Sequence, residues 1–419
     1  MFQHSERIGG GGGTGLVSKQ TSWVRGGNVT SPKGFLAAGI HAGIKPGREK
    51  DMALLVSILP ADAAGAFTTN QVKAGPVRVS QQHLKNGKVR AVILNSGNAN
   101  ACTGVRGIAD AKKMTSETAH ALKSKPHEIL VCSTGRIGVP LPIRKVVRGI
   151  RVLAKKLGPN RGPVAARAIM TSDTMKKEAA VRLTLGGRRV TIGAMAKGAG
   201  MIHPNMATML CVVTTDAAVD KRTLVRLTAD AVEHSFNRIS VDGDMSTNDT
   251  VFVLANGAAG NTPLKSYDTD LGKFSAALKQ LMLEMAKKIV EDGEGKTRVI
   301  ELKVCGAATE RDAKIMAEAT ARSPLVKTSW AGGDPNWGRI MGAIGASGAR
   351  LREELVDIHY DGVAAVRGGV AAVTPPGRLK AAARRSRVAI QVNLNLGKGE
   401  YRMLTTDLSE KYVRINLGE

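Results

Sequence analysis

Short apolar runs, separated by turns rich in Gly, Pro and Asn, recur along most of the 419-residue chain. A short apolar run bounded by turn residues is typical of a buried strand. These runs predict strands at Met52–Leu59, Ala91–Leu94, Glu128–Cys132, Val190–Met195, Met209–Val213, Val251–Leu254, Val299–Val304, Val388–Leu394 and Tyr412–Ile415.

Apolar residues spaced three or four positions apart predict helices between many of these strands. The clearest is Asp270–Val290, where Phe274, Leu278, Leu281 and Met285 fall on one face. Further helices are expected at Ile108–Leu122, Ile143–Leu157, Lys221–Glu233 and Arg311–Thr320. Strands and helices alternate without one uniform βαβ period. The pattern therefore predicts an α+β fold, with layered mixed sheets flanked by helices.

Composition sets the size of the cores and the expected division of the chain. The 419 residues are enough for two or three domains, and 43% apolar residues can build their cores, while aromatic residues make up only 3%. We expect residues 1–25 to form a flexible tail, because Gly9–Gly13 follow no strand and no secretory signal pattern is present. Residues 300–419 are expected to form a smaller C-terminal α/β subdomain.

The stretch KGAGMIHPNMATML, Lys197 to Leu210, is rich in glycine and leads directly into the predicted strand at Met209. It places the hydroxyl of Thr208 between a flexible loop and a rigid strand. A threonine at a strand start is ordinary, because threonine favours strands. The functional hypothesis is that the Ala207–Thr208 bond is cut, which makes Thr208 a new N-terminus and a nucleophile.

An N-terminal threonine carries its own general base. Its α-amine has an unperturbed pKa of about 7.7–8.0 and accepts the hydroxyl proton near neutral pH. Cleavage would begin when the Thr208 hydroxyl attacks the Ala207 carbonyl to form an ester, which water then releases. His203 in the same stretch is a second candidate base, but no acid lies near it in sequence, so a loop histidine is the preferred interpretation.

Other polar positions have both ordinary and functional interpretations. The turn Ser133-Thr134-Gly135 follows a strand, and such a turn can present N–H groups to an oxyanion. Lys197 is either a solvated loop lysine or a group that binds a carboxylate. Glu294 lies between two glycines and has no packing role, which makes it a candidate for handling substrate.

Several classes of function are disfavoured. DGEGKT at Asp292–Thr297 lacks the first glycine and the preceding strand of a P-loop. The cysteines and histidines show no metal-ligand spacing, and no apolar run is long enough to span a membrane. The net charge of +26 suggests nucleic-acid binding, but the basic residues are spread along the chain and few aromatics are available for stacking. We expect a solvated basic surface and no nucleic-acid partner.

The central stretch, GAMAKGAGMIHPNMATML, resembles the autoprocessing segment of ornithine acetyltransferases, the glutamate N-acetyltransferases of arginine biosynthesis. Further blocks resemble the same family in the same order from about residue 29 to the C-terminus. They are ILNSGNANACTG, VCSTGRIG, SDTMKKEAA, FNRISVDGDMSTNDT, VEDGEGKTR, SPLVKTSWAGGDPNWGRI and DLSEKYVRIN.

The resemblance implies a fold similar to that of the family. It also implies self-cleavage into an N-terminal piece, which comprises the tail and residues 26–207, and a C-terminal piece, residues 208–419. The two pieces would remain together as a heterotetramer with two copies of each. Acetyl would pass from N-acetylornithine through Thr208 to glutamate in the cytoplasm, without a cofactor or metal. Whether acetyl-CoA also donates is left open.

The resemblance also assigns roles to individual residues. Thr134 and Gly135 match the oxyanion pair, and Thr174, Lys197, Glu294 and Asn416 match the substrate contacts. The family pattern continues past Asn416 to a hydroxyl residue that has no counterpart here, and Arg136 replaces an apolar residue. Two alternatives stay open: an autoprocessed amidase or aminopeptidase that passes the acyl group to water, and a basic binding protein without catalysis.

Overall fold

The structure is a computed structural model that describes residues 21–203 and 209–417. It contains strands that form two mixed sheets. They are β1 (Ser22–Trp23), β2 (Phe35–Ile40), β3 (Met52–Phe67), β4 (Val89–Asn95), β5 (Ile129–Ser133), β6 (Lys177–Leu185), β7 (Arg188–Lys197), β8 (Leu210–Thr215), β9 (Ile239–Ser240), β10 (Thr250–Ala255), β11 (Val299–Ala307), β12 (Asp357–Tyr360), β13 (Val363–Arg367), β14 (Val370–Ala371), β15 (Arg387–Asn393) and β16 (Gly399–Thr406).

Helices pack against both sheets. They are α1 (Gly75–His83), α2 (Gly104–Leu122), α3 (Ile143–Lys155), α4 (Gly162–Ala168), α5 (Lys221–Glu233), α6 (Leu271–Glu291), α7 (Glu310–Arg322), α8 (Pro324–Gly332), α9 (Trp337–Gly345), α10 (Pro376–Ala383) and α11 (Glu410–Asn416). Short 3₁₀ turns lie at Leu84–Asn86, Pro126–Glu128, Phe236–Arg238 and Glu353–Leu355.

The larger sheet has the order β1-β6-β7-β8-β10-β3-β4-β5, with β2 also paired to β3. Strand β3 belongs to both halves of this sheet, because its start pairs with β2 and β4 and its end pairs with β10. A register irregularity between Val56 and Ala61 separates the two halves. Residues from both halves share one apolar core, which includes Leu55, Val92 and Phe252.

Helices add two outer layers to these two halves. Helices α5 and α6 pack on one half through residues such as Leu224 and Leu281, and α1, α2 and α3 pack on the other half. Successive residues of β8 face different cores. Leu210 and Val212 point to the core shared by both halves of the sheet, and Cys211 and Val213 point towards α5 and α6. Burial on both faces explains why this strand is continuously apolar. The predicted α+β fold with layered mixed sheets is confirmed.

The smaller sheet has the order β14-β13-β12-β15-β11-β16-β9 and its own apolar core. Helices α7, α8 and α9 contribute to that core, which includes Trp330 and Tyr360. All of its strands except β9 lie between residues 299 and 406. This arrangement is compatible with a C-terminal subdomain at 300–419, and that division remains a prediction.

Most predicted elements are present, and one is wrong. The structure has helix α11 where the sequence predicted a strand at Tyr412–Ile415. The β-branched Val413 and Ile415 favoured a strand, but the Ser409 hydroxyl accepts the Tyr412 N–H at 3.3 Å and caps a helix instead. Asp220 caps α5, because its carboxylate accepts the Thr223 N–H at 3.1 Å.

Basic residues cluster locally within residues 371–387, and two of these arginines form ion pairs. Arg385 lies 3.1 Å from Asp361, and Arg387 contacts Glu291 at 3.1 Å and Glu301 at 2.5 Å.

No helix in the described part of the chain is long and apolar enough to cross a membrane.

Replacing Phe252 with alanine tests the core shared by both halves of the large sheet. Phe252 is fully buried, and its ring packs edge-to-face on Phe67 at 5.8 Å. We expect Phe252→Ala to lower the free energy of unfolding by about 3–5 kcal/mol in urea titrations. Tyr267→Ala, at a side chain that is 79% exposed, is the control and should cost far less. Equal losses for the two variants would contradict the layered core.

Candidate active site

Lys197 ends strand β7 with a side chain that is almost fully buried. Its Nζ lies 3.4 Å from the Thr134 hydroxyl and 4.0 Å from Asp173 Oδ2. Burial lowers the pKa of Lys197, whereas the negative charge of Asp173 raises it. Lys197 also pairs across the sheet with Leu210, at the start of β8. A buried cation therefore lies next to the chain that follows Thr208.

The turn at Thr134 and Gly135 follows β5 and packs closely on the Gly97–Asn98 peptide. Gly135 has φ +129°, and a Cβ there would lie 2.3 Å from the Gly97 carbonyl carbon and 2.5 Å from Asn98 N. Glycine is needed for both reasons. The Thr134 N–H donates to the Asn95 carbonyl at 3.0 Å, so this N–H belongs to the fold. The group that Thr134 offers to the site is its hydroxyl.

A buried group of three charges lies next to Lys197. Lys177 Nζ contacts Asp173 at 2.6 Å and Asp292 at 2.5 Å, and all three side chains are buried. Burial opposes the charge of Asp173, but Lys197 and Lys177 outweigh it and lower the pKa of Asp173 to about 2. Asp173 also accepts the Gly198 N–H at 2.7 Å, which fixes the end of β7.

Asp292 links this charged group to Thr174. One carboxylate oxygen accepts the Thr174 N–H at 3.0 Å, and the other accepts the Thr174 hydroxyl. Thr174 itself is exposed. Sequence reasoning did not assign Asp173, Lys177 or Asp292, because only the fold brings the end of α6 to the start of β6.

Glu294 and Asn416 meet on the same side of the structure. Asn416 Nδ2 donates to Glu294 Oε2 at 3.3 Å, and the Glu294 N–H donates to the Ala199 carbonyl at 2.9 Å. The Glu294 carboxylate lies so close to Gly200 that a Cβ there would be 2.4 Å from it. Because Gly200 has no side chain, the Glu294 carboxylate can lie close to the backbone just beyond the end of β7.

Ala207 and Thr208 lie outside the described residues. His203, at the edge of the described chain, is buried, and burial followed by the nearby Arg322 charge lowers its pKa to about 4. Within residues 21–203 and 209–417, no group of three or more His, Cys, Asp or Glu side chains is arranged to hold a metal ion. The described site therefore offers a buried lysine, a threonine hydroxyl and an acidic group, which suit an amino-acid-like substrate.

The sequence pattern of the ArgJ family matches residues 36–418. The arginine biosynthesis bifunctional protein ArgJ of Symbiobacterium thermophilum is 48% identical over 396 residues, covering 94% of this chain and 98% of the relative. The protein of the same name in Geobacter sulfurreducens is 47% identical over 385 residues, covering 92% and 98%. Both matches include the chain on either side of residue 208.

A crystal structure is also similar over part of the chain: ornithine acetyltransferase complexed with ornithine, from Mycobacterium tuberculosis. It is 43% identical, covers 44% of this chain and 98% of its own, and has a TM-score of 0.41. The crystal structure of the ArgJ protein from Bacillus halodurans is 42% identical, covers 45% and 98%, and has a TM-score of 0.42.

Adding one methyl group at Gly135 tests the Thr134 turn. We expect Gly135→Ala to distort the turn and to lower both acyl-transfer activity and the melting temperature, because the new Cβ would overlap backbone atoms.

Gly138→Ala is the matched control. Gly138 also has a positive φ, +80°, but a Cβ there meets nothing within 4 Å. That control should cost only about 1–2 kcal/mol of backbone strain. Full activity in Gly135→Ala would contradict the role of the turn.

Proposed function

The chain belongs to the ArgJ family and is an acyltransferase of arginine biosynthesis, and we propose that it transfers acetyl from N2-acetylornithine to glutamate through Thr208. The observation that supports this most directly is the position of Lys197. Its buried ammonium lies 3.4 Å from the Thr134 hydroxyl and beside the start of β8. In this proposal the charge, the hydroxyl donor and the chain that follows Thr208 form one site.

The first step of the proposal is self-cleavage. The Thr208 oxygen attacks the Ala207 carbonyl carbon, the C–N bond breaks, and the hydroxyl proton passes to the released amine. Water then hydrolyses the ester and frees the Thr208 hydroxyl. Residues 1–207 and 208–419 would be the two products.

The sheet supports continued association of the two products. Strands β8 and β10 follow residue 208, yet they lie between β7 and β3, which precede it. Backbone ladders on both sides would hold the cleaved pieces together. We propose that two such pairs form a heterotetramer that acts in the cytoplasm; the doubling rests on the family resemblance.

In the transfer step, the Thr208 oxygen attacks the acetyl carbonyl of N2-acetylornithine. The C–O bond forms, the amide C–N bond breaks, and the Thr208 amine relays the hydroxyl proton to the departing ornithine amine. The amine of glutamate then attacks the acetyl ester: the new amide C–N bond forms, the ester C–O bond breaks, and a proton from the attacking amine restores the Thr208 hydroxyl.

Described residues supply the supporting roles in this proposal. The Thr134 hydroxyl accepts from Lys197, which leaves its own proton for the oxyanion. The Gly135 turn places that hydroxyl. Lys197 would bind the α-carboxylate that both amino acids share. Glu294, with Asn416 bonded to it, would hold the side-chain ammonium of N2-acetylornithine. Thr174 would complete the substrate contacts.

Substitution of Thr208 tests the proposed nucleophile. We expect Thr208→Ala to stay as one full-length band on a denaturing gel and to transfer no acetyl. Thr208→Ser keeps a hydroxyl and should retain part of both activities. Thr184→Ala, at an exposed threonine of β6, should be cleaved like the wild type. An active Thr208→Ala enzyme would exclude this mechanism.

We propose that acetyl-CoA also serves as a donor, because the two relatives above carry the name bifunctional. Glutamate acetylation should be measured with N2-acetylornithine and with acetyl-CoA side by side. Both donors should work in the wild type, and both should fail in Thr208→Ala because one acetyl-threonine serves them. Acetyl release to water without transfer to glutamate would instead identify an amidase.

A further inference from the structure

Residues 240–250, here called the clamp segment, contain polar side chains that no step above uses. The segment joins β9 to β10 and is rich in Asp, Ser and Thr. Its side chains and backbone bind the chain on both sides of residues 203–208. The segment therefore contacts the two described flanks of the proposed cleavage position.

On the N-terminal flank, Asp242 holds two successive peptide groups. Its carboxylate accepts the Met201 N–H at 2.6 Å and the Ile202 N–H at 2.9 Å. The Ile202 carbonyl accepts the Val241 N–H at 2.8 Å and the Ser240 hydroxyl at 3.1 Å. Both sides of the Ile202 backbone are thus bound to the clamp segment.

On the C-terminal flank, Asp249 and Thr250 bind both backbone groups of Met209. Asp249 Oδ1 accepts the Met209 N–H at 3.0 Å, and the Thr250 N–H donates to the Met209 carbonyl at 3.1 Å. Asp249 is fully buried, and its Oδ2 has no hydrogen-bond partner among the residues that the structure describes. Burial raises the pKa of Asp249 well above its usual range, although the Met209 N–H and the charge of Lys197 act in the opposite direction.

A third set of contacts joins the clamp segment to the Thr134 turn. Asn248 Nδ2 donates to the Ser133 carbonyl at 2.9 Å and to the Ala99 carbonyl at 2.6 Å. Ser133 directly precedes Thr134. The segment is itself fixed from outside, because the Thr68 hydroxyl donates to the Ser246 carbonyl at 2.7 Å.

We propose that the clamp segment positions the chain for self-cleavage, with Asp249 as its principal positioning residue. Asp249 fixes the residue after Thr208, and its neighbour Asn248 fixes the residue before Thr134. An intramolecular attack depends steeply on such geometry, because reacting atoms must be held close and aligned. This inference rests on the proposed function, since it concerns the cleavage step.

The test compares three substitutions at one position and follows the appearance of the two fragments with time after synthesis. Asp249→Ala removes the acceptor for the Met209 N–H and should slow cleavage by about tenfold or more. Asp249→Asn keeps an acceptor oxygen and should restore most of the rate. Asp249→Leu fills the space without an acceptor and should behave like alanine. The melting temperature of each variant reports whether it is folded.

Asp216→Ala is the matched structural control. Asp216 is a buried carboxylate just beyond the other end of β8, where it accepts the Thr191 N–H at 2.7 Å and the Lys33 N–H at 2.9 Å. The Asp216→Ala variant should have a lower melting temperature but an unchanged cleavage rate. Wild-type cleavage in Asp249→Ala, or equal slowing in Asp216→Ala, would overturn the inference. A wild-type chain that is never cleaved would overturn the proposed function instead.

Discussion

The hydrogen bonding of strand β8 on both of its edges is the constraint on which the rest of the structure depends. It pairs antiparallel with β7 and parallel with β10, and its side chains are buried on both faces. A strand held in this way has no freedom to shift, because a slip of one residue would exchange its two buried faces. The chain that follows Thr208 is therefore fixed in position and register.

Buried charge is the second physical feature of the site. Lys177 and Lys197 both lie within the protein, where an unpaired ammonium would be strongly unfavourable. Asp173 and Asp292 offset that cost through close contacts with Lys177, and Asp173 lies near Lys197 as well. Loss of one partner would leave a buried charge uncompensated. These ion pairs thus reduce the cost of burying Lys197 and fix the orientation of its side chain.

Much of the fold follows from local pattern. The continuous apolar run after Met209 predicted β8, and the stripe along Asp270–Val290 predicted α6 within one residue at each end. The strand expected at Tyr412–Ile415 is a helix, because a serine cap outweighs the β-branched residues of so short a segment. Local pattern also missed the split of β3 between two halves of a sheet, which only long-range pairing creates.

The candidate site was less accessible to residue-level reasoning. Lys197 and Glu294 had ordinary alternatives until the family resemblance favoured function, and the structure then brought Lys197 to Thr134 and Asn416 to Glu294. Asp249 lies in the block FNRISVDGDMSTNDT, but neither local pattern nor the resemblance gave it a role. Its importance arises from the parallel pairing of β8 and β10, which aligns residues 40 positions apart in the chain.

The most direct test of the account is to find where the acetyl group is carried. The protein would be incubated with N2-acetylornithine in the absence of glutamate, and its fragments analysed by mass spectrometry. The account predicts one acetyl group on the fragment that begins at Thr208, attached at that residue and removed when glutamate is added. An acetyl group on another residue, or active protein without that fragment, would contradict it.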